Sequence, residues 1–248
     1  MTGTDLVPLE KYTIVEKGQE GLRLLAETLE GQDVNEFDLP RVRIPAGGGT
    51  TWEVPKLGGT EGVKELQGVV VFSKNSRSYW EKDYEGGNEP PDCASRDGKI
   101  AQARDEVEIP ATADEQGNLL CDTCAYSEWG SSSTGSGRGQ ACKMSRQLFL
   151  ITPERMLPLI VTLPPTSLKR ASRYFLDLAN FTKDYKRIVT KIGLEKVSGQ
   201  NVPDYSAATF DAGEDIPEEA AALVLQYAEA LRPHFEAVTV ETAAEVGG

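Results

Sequence analysis

The chain has 248 residues, 39% of them apolar and 26% charged, which excludes a disordered polymer and leaves room for one large domain or two small ones. No apolar run approaches the roughly 20 residues that a membrane-crossing helix needs, and the N-terminus has no basic region leading into an apolar stretch, so a cytoplasmic protein is expected. The formal charge of −13 argues against a polyanionic partner when taken as an average, but the average hides a split along the chain.

In chain order, "EKGQEGLRLLAETLEG" places Leu22, Leu25 and Leu29 at helical spacing before Gly31, which predicts an N-terminal helix with a glycine stop. "FDLPRVRIPAGGGTTWEV" predicts a short strand at Arg41–Ile44, a triple-glycine turn and a second strand near Trp52. Val69–Phe72 is continuously apolar, so its strand should be buried on both faces. From Glu81 to Leu119 the sequence turns to Gly, Pro, Asp and Glu without periodicity, a long excursion that something must tie down. "RQLFLI" and "LPLIVTL" predict two strands joined by a turn at Pro153–Arg155.

The helix "PPTSLKRASRYFLDLANFTK" follows, with Thr166 or Ser167 as its cap and a stripe of Leu168, Ala171, Phe175 and Leu178. "YKRIVTKIGLEKV" alternates, with Ile188, Ile192 and Leu194 on one face and Tyr185, Arg187 and Lys191 on the other. "YSAATF" reads as a further strand. "IPEEAAALVLQYAEALRPHF" reads as a last helix, begun by Pro217 and two acids. The expected fold is α+β, mainly β: an N-terminal helical segment at 1–37, an OB-like Greek-key barrel at 38–212 with a zinc-binding insertion at 81–143, and a C-terminal helix with an acidic tail at 213–248.

All four cysteines bear on that insertion, spaced Cys93-x27-Cys121-x2-Cys124-x17-Cys142. A two-residue gap lets two thiolates bind one metal from a tight turn, and two more sulfurs complete the tetrahedron of a structural zinc site. A redox pair at Cys121 and Cys124 is a rival without a βαβ context, and two disulfides are a rival if the protein is secreted.

Charge is equally segregated. Gly137–Lys191 holds eleven basic and three acidic side chains, a balance of +8, whereas Asn201–Gly248 holds ten acids and one arginine, a balance of −9. A lone histidine, His234, leaves no Ser/His or Cys/His triad, and no His-x-Glu precedes the cysteine pair as a zinc deaminase requires. "GSGRGQ" lacks the Gly-Lys-Ser/Thr ending of a phosphate-binding loop. Asp92 and Asp97 admit a carboxylate metal site, but two carboxylates in a glycine-rich turn are commonly turn formers.

"RVRIPAGGGTTWEV", "GNEPPDCASRDG", "CDTC…WGSS…GQACK" and "LPPTSLKRASRYF" together resemble a family of proteins, without an established activity, carried by phages and mobile elements of Gram-positive and actinobacterial hosts. The resemblance spans roughly Asp38 to Lys191. More loosely, the layout is similar to phage single-stranded-DNA-binding proteins, which combine an OB-type barrel, in some cases a zinc element, and an acidic C-terminus. This implies a bacterial host cytoplasm.

The expected function is non-catalytic, sequence-nonspecific binding of single-stranded DNA in replication or recombination. The expected contacts are Arg77, Tyr79, Trp80, Tyr126, Trp129, Arg138, Lys143, Arg146, Lys169, Arg170, Arg173, Tyr185, Arg187 and Lys191. The metal ligands would be Cys93, Cys121, Cys124 and Cys142 around structural Zn2+. The acidic C-terminal region would compete with nucleic acid or recruit replication or recombination proteins, with a homo-oligomer left open. A zinc-stabilised interaction module without DNA contact is the first alternative, and a carboxylate metal-dependent nuclease the second.

Overall fold

The computed structural model describes residues 39–82, 90–133, 139–155, 157–199 and 202–238, together with Arg23 and Glu27. The predicted N-terminal helix therefore lies outside the described residues, apart from those two helical positions and their 3.5 Å ion pair. Eleven strands and two α-helices follow among the described residues. The strands are β1 (Arg41–Val42), β2 (Trp52–Lys56), β3 (Gly59–Val63), β4 (Glu65–Tyr79), β5 (Cys93–Ser95), β6 (Ile100–Ala103) and β7 (Leu119–Leu120). After them come β8 (Lys143–Ile151), β9 (Leu159–Leu163), helix α1 (Pro165–Asn180), β10 (Ile188–Gly199), β11 (Val202–Asp215) and helix α2 (Glu218–Ala237).

The main sheet is mixed. Its path runs β1-β9-β8-β4-β5-β6-β7, and β10 joins β4 and carries β11. β1 lies parallel to β9, with Arg41 opposite Ile160, while the remaining ladders are antiparallel. The expected α+β, mainly β class holds. The barrel does not: among the described residues no ladder joins β11 to β9 or β1, so the sheet stays open. Closure depends on pairing between segments distant in sequence, which local alternation does not encode.

Both faces of the central strands are buried, as the unbroken apolar run at Val69–Phe72 required. Val69, Val71, Phe149, Ile151 and Ile160 pack with Val224, Tyr227, Leu231 and Phe235 of α2. Leu66, Val70, Leu148, Leu150, Val161 and Ile192 form the opposite layer with Ala171 of α1 and Trp52. The β2–β3 hairpin, of which only the first strand is legible in the sequence, is held by buried Trp52, whose Nε1–H donates to the Ile192 carbonyl at 3.0 Å. The triple-glycine turn before it uses left-handed backbone at Gly47 and Gly48, at φ 68° and 80°.

Helix α1 is capped differently from expectation. Pro164 is its N-cap, without a side-chain bond, and Pro165 takes the first helical position, where its missing N–H is harmless. Ser167 is instead buried, and its Oγ accepts the Ala208 N–H at 3.0 Å, tying α1 to β11. Tyr174 reinforces that contact through a 2.9 Å hydroxyl bond to Thr190 on β10. The predicted boundary at 212 also falls inside an element, because β11 runs on to Asp215 and α2 is part of the core.

One position concentrates the geometry of the sheet. Gly68 on β4 faces Thr190 of β10, and a Cβ there would lie 2.3 Å from the Ile151 carbonyl oxygen. That neighbour is backbone, so it cannot rotate away. Gly68→Ala should therefore lower stability by about 1–3 kcal/mol, the usual range for overpacking. The check is a lower urea midpoint at unchanged slope; an unchanged midpoint would mean that the strand shifts freely.

Candidate functional site

Two regions gather the chemically distinctive residues. The first is the lobe between β4 and β8, predicted as an irregular excursion. It instead continues the sheet: Cys93 pairs with Tyr79, β6 pairs with β5, and β7 with β6. Asp97 holds the β5–β6 turn, accepting from Ser95 Oγ and from the Lys99 and Ile100 amides at 2.8–3.0 Å. Burial alone would raise the Asp97 carboxyl, but these hydrogen bonds outweigh it and hold the group below its usual range. Asp92 accepts from the Glu81 amide and from Arg104. Both aspartates thus serve as turn and strand clamps here.

The four cysteines are free thiols, each 5–7% exposed. All four line one small cavity of about 10 Å³, together with Arg77, Ser95, Ile109 and Leu119. That volume is about one water-sized sphere. Burial pushes the Cys93 thiol up to about 12, reinforced by Cys142, Cys121 and Cys124. Burial likewise pushes Cys142 up to about 11, against an opposing pull from Arg77. Cys121 is raised for the same first reason. Among the described residues, no group of three or more His, Cys, Asp or Glu side chains is arranged to hold a metal ion. All four cysteines nevertheless line the one cavity.

Around this cavity several expected contacts change role. Arg77 turns inward, to the cavity, because it lies opposite Ser95 on the face that carries Cys93. Tyr79 and Tyr126 stack on each other at 4.4 Å, which makes them the packing of the lobe more than a platform for bases. Trp80 lines a groove of about 840 Å³ with four acids, Glu81, Asp92, Asp105 and Glu106, and two bases, Lys82 and Arg104, a net acidic setting less suited to phosphate. Trp129 differs: it is 77% exposed and does not pack down over the cysteines. It sits beside a pinched stem in which the Gly130 and Ser132 amides both donate to the Gly139 carbonyl. Arg138 lies outside the described residues.

The second region lies around the turn between α1 and β10, which contacts β4, α1 and α2. Tyr185 and Arg187 were expected on one strand face, but Tyr185–Arg187 is a 3-10 turn, with Asp184 accepting from the Lys186 amide. Strand β10 begins only at Ile188. The turn sets Tyr185 edge-on to Phe175 at 5.2 Å, and Lys186 lies 5.8 Å from the centre of the Tyr185 ring. Arg146 of β8 lies 5.8 Å from the Phe175 centroid and donates through Nε to Asn75 at 3.0 Å. Arg232 of α2 covers Phe72 at 5.4 Å. Arg146 and Arg232 both act electrostatically on the Tyr185 hydroxyl, which burial and Asp184 raise above its ordinary range. Arg146, Lys186 and Phe175 thus gather about Tyr185, while Arg232 covers Phe72 on the α2 face of the sheet and reaches Tyr185 through its charge alone. The sequence pointed to Arg146 and Tyr185, placed Phe175 only in the packing stripe of α1, and missed Lys186, Phe72 and Arg232, the last being the one base within an acidic stretch.

The remaining bases of the window are largely matched by acids. Arg170 pairs with Glu195, Arg173 with Asp177 at 3.9 Å, Lys183 with Asp215 at 2.7 Å and Arg187 with Glu218 at 2.5 Å. Lys196 pairs with Asp204, and Arg232 with Glu229, both at 2.5 Å. Lys143 and Lys169 are exposed, and Lys191 is half-buried on β10. The acidic C-terminal region is therefore not an appendage: Asp215 and Glu218 fold back onto Lys183 and Arg187 of the basic window, and Asp204 onto Lys196 just beyond it.

Fold and sites together define an α+β protein built on an open mixed sheet, with a cysteine-lined lobe at one end and a cation–aromatic cluster beside its centre. Comparison of the chain with known protein families, curated proteins and solved structures finds no match in any of the three. Among the described residues, no helix is long and apolar enough to cross a membrane.

Proposed function

We propose that the protein binds single-stranded DNA without catalysis and with little sequence preference. The cation–aromatic cluster around Tyr185 carries this reading. Arg146, Lys186 and Arg232 supply charge for a phosphate backbone, and Tyr185 with Phe175 supplies ring surface beside it. Exposed ion pairs such as Arg187–Glu218 contribute only about 0–1 kcal/mol each, so phosphates can replace the carboxylates at little cost. β8 links this cluster to the cysteine lobe, with Lys143 about 10 Å along the strand from Arg146 and exposed Trp129 beyond.

The strand order supports the OB-type reading in an open form. β9-β8-β4-β10-β11, with a helix between β9 and β10, follows an OB barrel's order without its closing ladder. The cysteine lobe then occupies the loop after the first barrel strand, one of the loops that OB domains use for oligonucleotides. The residues that would hold zinc in that lobe are Cys93, Cys121, Cys124 and Cys142, and the donors suit it in kind and number: four buried cysteines line one small cavity, and binding would draw their sulfurs into a coordination sphere. Four thiolates leave no open position, so the ion would give the lobe rigidity and not chemistry.

Titration of a labelled oligo-dT at two salt concentrations tests the proposal. Affinity should fall steeply with salt, and Arg146→Gln should reduce that slope by about 1. Trp129→Ala should weaken binding at every salt concentration, by about 1–3 kcal/mol if it stacks on a base. The reading fails if protein at tens of micromolar leaves the oligonucleotide unshifted at about 50 mM salt, where the electrostatic contribution is strong. The acidic groove at Trp80, Glu81, Asp92, Asp105 and Glu106 favours a second reading in that case, a lobe that docks a basic protein.

A further inference from the structure

Arg77 was expected to face nucleic acid, yet its guanidinium lies in the cysteine cavity. Its Nε and Nη1 atoms are sealed from solvent and have no hydrogen-bond partner, while the side chain donates a hydrogen bond to Cys142. Nor does any carboxylate pair with it among the described residues, although seven other lysines and arginines outside the lobe find one. Arginine cannot escape this by losing its proton, because its charge persists at any pH a protein tolerates. A buried guanidinium with idle donors signals an anion that the all-thiol lobe does not contain. The only anions the cavity can generate are its own sulfurs, and a coordinating thiol is deprotonated outright.

We propose that Arg77 is the internal counter-cation of a four-thiolate metal site, its Nε–H and Nη1–H directed to metal-bound sulfurs. The inference rests on the zinc reading of the lobe. The balance is direct: a dication and four thiolates carry −2, with four protons released to solvent, and Arg77 brings the enclosed charge to −1. β4 fixes the position of the guanidinium, because Arg77 is held in register with Ser95 on one side and Met144 on the other. Arg77 is thus a positioning residue: it touches no nucleic acid and acts through the sulfurs.

The test uses the full chain purified with zinc, then exchanged for Co2+, whose absorption reports sulfur ligation. Wild-type protein should bind about one metal per chain with a four-thiolate spectrum. Arg77→Met should weaken zinc affinity, measured against a competing chelator, by roughly 10- to 100-fold, the range for lost partners of metal ligands. It should also move the sulfur-to-cobalt charge-transfer bands to lower energy, since sulfur loses hydrogen bonds and positive charge. Arg77→Lys should recover part of the affinity, and Arg77→Gln less, because charge and donors are separated in the pair. If Arg77→Met does not fold, the Lys and Gln variants decide by the same two readouts. Wild-type affinity and unshifted bands in all variants, with a four-thiolate spectrum intact, would overturn the role of Arg77 and leave the zinc reading standing. A wild-type chain that binds no metal through sulfur would overturn both.

Discussion

Phe235→Ala should lower the stability of the protein by about 3–5 kcal/mol, the range for removing a buried phenylalanine from a packed core. Phe235 is 1% exposed, with its ring 4.6 Å from Phe149 and 5.9 Å from Phe72. A folding free energy of about 5–15 kcal/mol makes this a large fraction of the total. Leu223 on the same helix is 39% exposed, so Leu223→Ala should stay within about 1 kcal/mol and serves as the control. The same packing forbids treating α2 as a removable acidic tail. A chain ending before Glu218 would expose Val69, Val71, Phe149 and Ile151 to water and should lose cooperative unfolding altogether. Urea titration followed by circular dichroism measures each case. A truncated chain that unfolds in one sharp transition at the full-length midpoint would show that α2 adds nothing to the core.

The second large effect is expected in the cysteine lobe. Stripping the proposed zinc with a strong chelator, or replacing Cys142 with serine, should open the segment between Asp92 and Lys143 to protease while the two-faced core remains folded. The lobe has little to hold it otherwise. Its own cluster is Cys93, Ala101 and Cys121 with Tyr79, Ala103, Ile109 and Leu119 around them, and its strands are two to four residues long. So small a core rarely suffices without a staple. Structural zinc contributes an apparent 10–16 kcal/mol in small zinc domains, about the size of a whole domain's stability. The lobe is coupled to the rest of the sheet through a short ladder at Arg77–Tyr79, the Tyr79–Tyr126 stack and the chain entering β8 at Lys143, so its opening need not propagate. Hydrogen exchange of the Cys121 and Cys142 amides, which donate to the Lys99 and Tyr126 carbonyls at 2.8 Å, reads the effect residue by residue. Equal protection with and without metal would remove the basis for zinc.

The sequence by itself determined the elements of this protein wherever a short-range rule was sufficient. Unbroken apolar runs identified the doubly buried strands β4, β8 and β9, paired prolines marked the start of α1, and Pro217 with two acids marked α2, because these rest on periodicity and capping within a few residues. The cysteine spacing singled out the lobe in the same way. What tertiary structure alone decided is which neighbours meet. Summed charge identified a basic window and an acidic region but not that Asp204, Asp215 and Glu218 would fold back onto Lys196, Lys183 and Arg187. Alternation put Tyr185 on a strand, whereas Asp184 closes a 3-10 turn that sends it to Phe175. Arg77 looked like a surface cation until its register with Ser95 turned it into the thiol cavity. Arg232 joined the cation–aromatic cluster only because α2 packs against β4, and closure of the sheet failed for want of one long-range ladder. Each of these depends on contacts between residues tens of positions apart, whose energies are set by three-dimensional proximity and burial and leave no periodic trace along the chain.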